Sequence, residues 1–251
     1  ISVGNDSRIS GGRINAQVVG TLSACGINVI NCSLISTPAM FMTTLEHTLN
    51  CDAAVMITAS HHPFNKNGLK FFTKSGGLES SDIEQILLLA SQGKSLPYAA
   101  SGNVCNKNFI EDYSKILRDK IISACGEDKP FSGFKIIVDA GNGAGGFFAD
   151  KVLKPLGADI SCSQFLQPDG NFPNHIPNPE NKEAMESICS AVIKNKADFG
   201  IIFDTDVDRA GAVDYDGKEI NRNTLIALIS AILLEEKSGA YIVTDSITSD
   251  G

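Results

Sequence analysis

Apolar residues recur along the chain with two alternating periods. Between residues 12 and 25, Ile14, Val18, Val19 and Leu22 fall at helical spacing, and Gly26 follows as a stop. Helical patterning returns at 39–49, 81–92, 109–124, 147–156, 182–195 and 223–235. Short apolar runs between these segments predict strands at 27–32, 53–58, 69–72, 134–139, 159–163, 199–203 and 241–244. Residues 212–214 and 218–220 read as a hairpin across Tyr215-Asp216-Gly217. Strands alternating with helices predict an α/β fold with mixed, largely parallel sheets. The polar stretch 93–108 reads as a loop and first boundary, and 167–181 as a proline- and asparagine-rich loop. The helix at 109–124 is expected to link two units. Residues 22–32 echo 153–163 weakly, as any two helix–Gly–strand junctions would.

Composition narrows the class. At roughly 150 residues per domain, 251 residues suggest one or two domains with a real core. Hydrophobic residues make up 43% and charged residues 20%, which suits a globular chain and not a disordered one. The 21 Lys and Arg against 29 Asp and Glu give a net charge of −8, which argues against a nucleic-acid or anionic-membrane partner. A small anionic substrate stays open, because local cations and a metal can hold one. The longest apolar run, 225–234, is broken by Ser230 and too short to span a bilayer. Seven cysteines without a CxxC pair predict a reduced compartment, and no secretory pattern opens the chain. A soluble protein is expected, cytoplasmic first, plastid second. The abrupt start at Ile1 and the strand-like end suggest part of something longer.

Three segments carry candidate chemistry. The first, Thr58-Ala59-Ser60-His61-His62-Pro63, follows an apolar strand, where ligands of α/β folds collect. Ser60 is a candidate nucleophile, although on this segment alone a capping Ser-His turn is the better reading. The second is Asp204-Thr205-Asp206-Val207-Asp208-Arg209. Spacing of two puts Asp204, Asp206 and Asp208 on one face of an extended chain. Three such carboxylates repel unless a cation intervenes, and an all-oxygen set favours Mg²⁺, then Ca²⁺ or Mn²⁺. The third, Gly141-Asn142-Gly143-Ala144-Gly145-Gly146, meets the GxGxxG spacing. No acidic residue ends the next strand, so a tight turn for close packing is the better reading. Arg8 precedes the first helix, with Ser10 as candidate N-cap, and Lys70 stands ten residues after Ser60.

Together these segments resemble the α-D-phosphohexomutases, the phosphoglucomutase/phosphomannomutase superfamily. "GNDSRISG" resembles that family's arginine loop, "TASHHPFNKNGLKFF" its phosphoserine loop, and "KIIVDAGNGAGG" the opening of its second domain. "PDGNFPNHIPNPEN" is similar to a further family segment, and "DTDVDRAG" to its metal loop. The resemblance implies consecutive phosphohexomutase-type α/β/α domains: a phosphoserine-loop domain at 1–122, a metal-loop domain at 123–218 and the start of a third at 219–251. It implies transfer of a phosphoryl group between the 1- and 6-positions of a hexose phosphate, through a phosphoserine and a bisphosphate intermediate. Ser60 would carry the phosphoryl group and, with Asp204, Asp206 and Asp208, hold one Mg²⁺. Arg209 would sit beside the phosphate, and Arg8, His61 and Lys70 would line the reaction centre. Asn is usual in the family at His62, and Gly at Thr205 and often at Val207. The sugar-recognition and distal phosphate-anchoring loops of the family's third and fourth domains have no counterpart in these residues. The 251 residues alone are therefore expected to turn over little as a mutase. Two alternatives stand beside this expectation. One is an inactive truncated relative; the other is a phosphatase with a strand ending in Asp-x-Asp and Asp204 as nucleophile.

Overall fold

In the computed structural model, which describes residues 1–93 and 100–244, two sheets organise the chain. The first unit runs β1 (Ser2–Asn5), α1 (Gly11–Ala24), β2 (Val29–Leu34), α2 (Thr37–Leu45), β3 (Ala53–Ile57), β4 (Leu69–Thr73), β5 (Gly76–Gly77), α3 (Ser80–Ser91) and β6 (Val104–Asn106). The strand order is β5-β4-β3-β1-β2-β6. Strands β6, β2, β1 and β3 are parallel, while β4 and β5 turn back antiparallel. From β1 the chain moves outward to β2 and then returns across to β3. The crevice between β1 and β3 is therefore the topological switch point, where such sheets place ligands.

Alternation along β1 builds both faces. Val3 joins Val19, Val29, Val55 and Ile57 under α1, with Ile14, Val18 and Leu22 packed around them. The other face buries Ile35, Met40, Met56, Phe109 and Ile110 beneath α2 and α4 (Phe109–Cys125). Gly4 faces this second layer; a Cβ there would sit 3.0 Å from the Met40 sulfur and collide with Ile35. Its absence lets α2 approach the sheet.

Helix α4 carries the chain to the second unit and ends at Gly126, whose φ of 71° only glycine adopts freely. There β7 (Ile136–Asp139) pairs parallel with β8 (Phe199–Phe203), and β9 (Ala210–Val213) pairs antiparallel with β8. Helix α5 (Lys182–Asn195) covers one face through Met185, Ile188 and Val192. A π-helical turn at Phe148–Leu153 covers the other with Ala149 and Leu153. Tyr113 of α4 meets Phe147 with ring centroids 6.1 Å apart, joining the units. Helix α6 (Arg222–Glu236) follows, with Leu228, Ile229, Ile232 and Leu233 exposed.

Several expectations change. Strand β1, central in its sheet, was not expected, because Ser2-Val3-Gly4-Asn5 offers one large apolar residue. Strand β6 lies inside the expected loop 93–108, of which 94–99 fall outside the described residues. The expected strand 159–163 shrinks to single parallel bridges from Asp159 to Lys135 and Gln164 to Asp139. Ser161 N–H instead bonds the Asp159 carboxylate, and Ser163 N–H bonds the Ile160 carbonyl, curling the segment. The expected helix 147–156 is the π-turn, marked by the Lys154 N–H to Ala149 carbonyl bond. Residues 241–244 form no strand. The expected hairpin is present as β9 with a single return bridge from Glu219 to Val213. None of the seven cysteines is disulfide-bonded, and no described helix is long and apolar enough to cross a membrane.

Candidate functional site

The loop after β3 holds Ser60 in a left-handed conformation, φ 52°, which a non-glycine residue keeps only when its surroundings impose it. Two anchors do so. Ser60 N–H donates to Thr58 Oγ1 at 2.9 Å, and Arg8 Nη2 donates to the Ser60 carbonyl at 2.5 Å. The turn closes with His62 N–H on the Ala59 carbonyl. The result aims the Ser60 hydroxyl across the gap between the two units.

Arg8 comes from the loop after β1, on the other side of the switch-point crevice, and is 2% exposed. Its Nε pairs with Asp6 Oδ2 at 3.1 Å, and Asp6 also accepts from Thr58 Oγ1 at 2.7 Å. Its Nη atoms donate to the carbonyls of Ser60, His62 at 2.7 Å, Pro63 at 2.6 Å and, more weakly, Lys66 at 3.4 Å. Phe172, from the 167–181 stretch, lies under the guanidinium, 5.5 Å from its ring centre. Gly170 of the same stretch packs on the loop backbone; a Cβ there would fall 2.6 Å from the Ser7 carbonyl oxygen. Burial pushes Asp6 above the usual carboxylate range, against the hydrogen bonds from the Arg8 amide and Thr58 and the Arg8 charge. Arg8 thus fastens the Ser60 loop from beneath, whereas the sequence placed it in the lining of the reaction centre. Ser10 makes no side-chain cap to α1; its hydroxyl accepts from Asn67 Nδ2 instead.

The aspartates follow β8. The extended spacing expected for them is replaced by a turn. Val207 N–H bonds the Asp204 carbonyl at 3.3 Å, and Val207 adopts φ 66°. Asp208 N–H and Arg209 N–H each donate to Asp204 Oδ1 at 3.1 Å, folding the loop over its first carboxylate. Convergence survives, by a different route: ligand atoms of Asp204, Asp206 and Asp208 lie within 4.8 Å of one another. The glycine-rich loop supports this turn rather than an anion. Ala144 N–H bonds the Thr205 carbonyl at 2.8 Å, and a Cβ on Gly143 would come 2.6 Å from that oxygen.

The two units meet here. Ser60 Oγ donates to Asp204 Oδ2 at 3.2 Å, 144 residues away in sequence. Arg209 donates from Nη2 to Ser60 Oγ at 2.9 Å and from Nε to Asp204 Oδ2 at 3.3 Å, and its Nη2 also contacts His61 Nδ1. His61 Nδ1 lies 3.5 Å from Ser60 Oγ. Lys70, on β4, bridges Asp206 and Asp208 at 2.7 Å to each. Asp204, His61 and Arg209 thus gather at the Ser60 hydroxyl, Lys70 joins Asp206 to Asp208, and Arg8 lies beneath the loop. A cavity of about 600 Å³ lies apart, lined by Asn106, Lys107 and Phe147 among others, and contains none of them.

The charges explain what the cluster lacks. Burial, then the charges of Asp206 and Asp208, push Asp204 up to about 7. Asp208 is held below the usual range: burial acts upward, but Lys70 and Arg209 outweigh it. Burial and the Arg209 charge lower His61, which favours the neutral imidazole that Arg209 can donate to. Asp206 is fully buried, and its Oδ1 has no hydrogen-bond partner. A bare carboxylate oxygen inside a like-charged trio fits a hard divalent cation.

Two functional candidates escaped the sequence reading. Glu180 accepts from Arg222 Nη1 at 2.7 Å and stands 3.8 Å from Arg209 Nη1, orienting it. His175 is buried with Nε2 3.0 Å from both Asp139 oxygens and Nδ1 3.0 Å from the Ile176 carbonyl. Both nitrogens face acceptors; burial acts downward, but Asp139 and the Ile176 carbonyl raise the ring above the usual imidazole value and favour its charged form. It ties the 167–181 stretch to the end of β7. Only the concentration of Pro and Asn in that stretch, and its similarity to a family segment, signalled either residue.

Comparison with known proteins agrees with this geometry. Residues 1–95 match the family model "Phosphoglucomutase/phosphomannomutase, alpha/beta/alpha domain I", and residues 111–217 match the corresponding domain II. The phosphoglucomutase of Neisseria gonorrhoeae is 32% identical over 246 residues, covering 98% of this chain and 51% of that protein. The phosphomannomutase/phosphoglucomutase of Pseudomonas syringae pv. tomato is also 32% identical over 246 residues, with 98% and 50% covered. A phosphoglucomutase/phosphomannomutase family protein from Burkholderia thailandensis superposes with a TM-score of 0.84 at 27% identity, covering 95% of this chain and 51% of that one. The chain spans about half the length of the curated relatives it matches. Two consecutive domain matches, with Ser60 and the aspartate loop brought face to face, establish that the chain belongs to the phosphoglucomutase/phosphomannomutase family.

Proposed function

We propose that this chain forms the phosphoryl-transfer half of a phosphohexomutase that moves a phosphoryl group between the 1- and 6-positions of a hexose phosphate. The observation that carries the reading is the 3.2 Å contact of Ser60 Oγ with Asp204, made across two units and flanked by Arg209. Domains at 1–122 and 123–218, with the start of a third at 219–251, would present the two loops to each other. The wider protein's turnover and its hexose phosphate substrate are part of this proposal.

Ser60 carries the phosphoryl group and gives it to a hydroxyl of the sugar phosphate, leaving as an alkoxide. Arg209 Nη2, 2.9 Å from that oxygen, stabilises the charge that develops on it. Neutral His61 beside Ser60 is placed to exchange a proton with the serine or the sugar hydroxyl. Lys70 offers a cation at the rim. Arg8 keeps the loop in its left-handed turn. Asp204, Asp206 and Asp208 would hold Mg²⁺, with the Ser60 phosphate as a further ligand; when bound, the ion supplies positive charge to the phosphoryl oxygens. The sugar then returns its other phosphate to Ser60.

The Asp-x-Asp phosphatase alternative makes Asp204 the nucleophile and leaves Ser60 without a role; the placement of Ser60 Oγ 2.9 Å from Arg209 Nη2 and 3.2 Å from Asp204 Oδ2 favours the serine. Incubation with glucose 1,6-bisphosphate and Mg²⁺, followed by intact-mass analysis and peptide mapping, tests the reading. One phosphoryl group on the Ser60 peptide is expected. An unlabelled chain, or label on Asp204, overturns the assignment.

A further inference from the structure

We propose that Thr37 is a positioning residue for the metal loop, selecting which oxygen of Asp206 is presented to the cation. Its hydroxyl donates to Asp206 Oδ2 at 2.5 Å, across 169 residues of chain. Its backbone N–H donates to the Asp206 carbonyl at 2.8 Å. Thr37 is buried, 7% exposed, at the start of α2. The amides of a helix's first turn lack partners within the helix. Here Ser36 Oγ accepts from Ala39 N–H, Pro38 has no N–H, and the Thr37 amide is satisfied by the metal loop itself.

This two-point clasp has a chemical consequence. Lys70 also bonds Oδ2, so both protein donors to the Asp206 side chain gather on one oxygen. The other, Oδ1, is buried and bare. Two donors on one oxygen restrain the carboxylate's rotation and leave the buried, unpaired Oδ1 as the oxygen offered to a cation. Thr37 belongs to the Ser60 unit and Asp206 to the other, so the hydrogen bond that orients the ligand is made only when the units are docked. Cation affinity is thereby linked to the same docking that brings Ser60 to Asp204.

The inference rests on the proposed metal reading. Its test is Mn²⁺ binding by electron paramagnetic resonance or calorimetry on the whole chain. Thr37→Val keeps the shape and the amide bond but removes the hydroxyl. Loss of a hydrogen bond to a metal ligand typically lowers affinity about 10- to 100-fold, and that loss is expected here. Thr37→Ser should bind as the parent does. Parent-like affinity in a folded Thr37→Val overturns the inference, as does equal weakening in Thr37→Ser. Should Val prevent folding, Thr37→Cys, a weaker donor, should bind less tightly than Thr37→Ser; equal affinity overturns the proposal. A parent chain that binds no Mn²⁺ overturns the metal reading itself, a result distinct from these.

Discussion

Arg8→Met should destabilise the fold by about 3–5 kcal/mol, the range for removing one partner of a buried ion pair. The size follows from what remains. Asp6 stays buried just past the end of the central strand β1, with only Thr58 and the Arg8 amide to hold its charge. The carbonyls of Ser60, His62 and Pro63 lose their common donor at once. Phe172 and Gly170 lose the surface they pack on, so docking of the 167–181 stretch weakens too. Methionine fills the space without replacing a single donor. Arg8→Lys should recover only part, because an ammonium cannot reach several carbonyls in one plane. Urea unfolding measures the loss, and proteolysis between residues 60 and 67 should accelerate. A loss below about 1 kcal/mol, the range of an exposed pair, would contradict this role.

Asp204→Asn should abolish divalent-cation binding and stabilise the metal-free chain. Asp204 carries the strain of the trio: burial and its two acidic neighbours raise it from 3.8 to about 7. A carboxyl raised on folding is a liability fully present above its folded value and absent below its unfolded one. Removing it therefore helps above about pH 7, and the gain fades toward pH 3.8. Asn retains an oxygen for the Asp208 and Arg209 amides, while Arg209 loses a charged partner. The expected gain is about 0.5–2 kcal/mol, typical of relieving a strained functional group. Thermal melts in EDTA against pH read the stability, and Mn²⁺ titration reads the binding. A variant that binds Mn²⁺ like the parent would remove Asp204 from the ligand set.

The sequence shows the site residues more clearly than their arrangement. Ser60, Lys70, Arg209 and the three aspartates stand in motifs, and the family resemblance of those motifs implies one shared site. Arg8 is different. Nothing in "GNDSRISG" says whether a guanidinium points at a phosphate or at four carbonyls; that depends on Phe172 and Gly170, contributed by the other unit. The aspartates converge through a turn that requires Val207 at positive φ, a conformation no propensity assigns to valine. Strand β1 was hidden because a central strand beside a tightly packed helix needs Gly4 where a β-branched residue would advertise it. The Thr37–Asp206 clasp joins residues 169 apart, and such pairs leave no local pattern. Helices α1 and α5 were legible because each buries a single stripe against one sheet.

The central claim is that a phosphorylated Ser60 and the aspartate-bound cation share one site. Phosphorus NMR of the phosphorylated chain, titrated with Mn²⁺, tests it most directly. A paramagnetic ion held by Asp204, Asp206 and Asp208 should broaden the phosphoserine resonance beyond detection, and Asp206→Asn should restore it. A phosphoserine signal that stays sharp while the aspartate loop is saturated with Mn²⁺ would contradict the account.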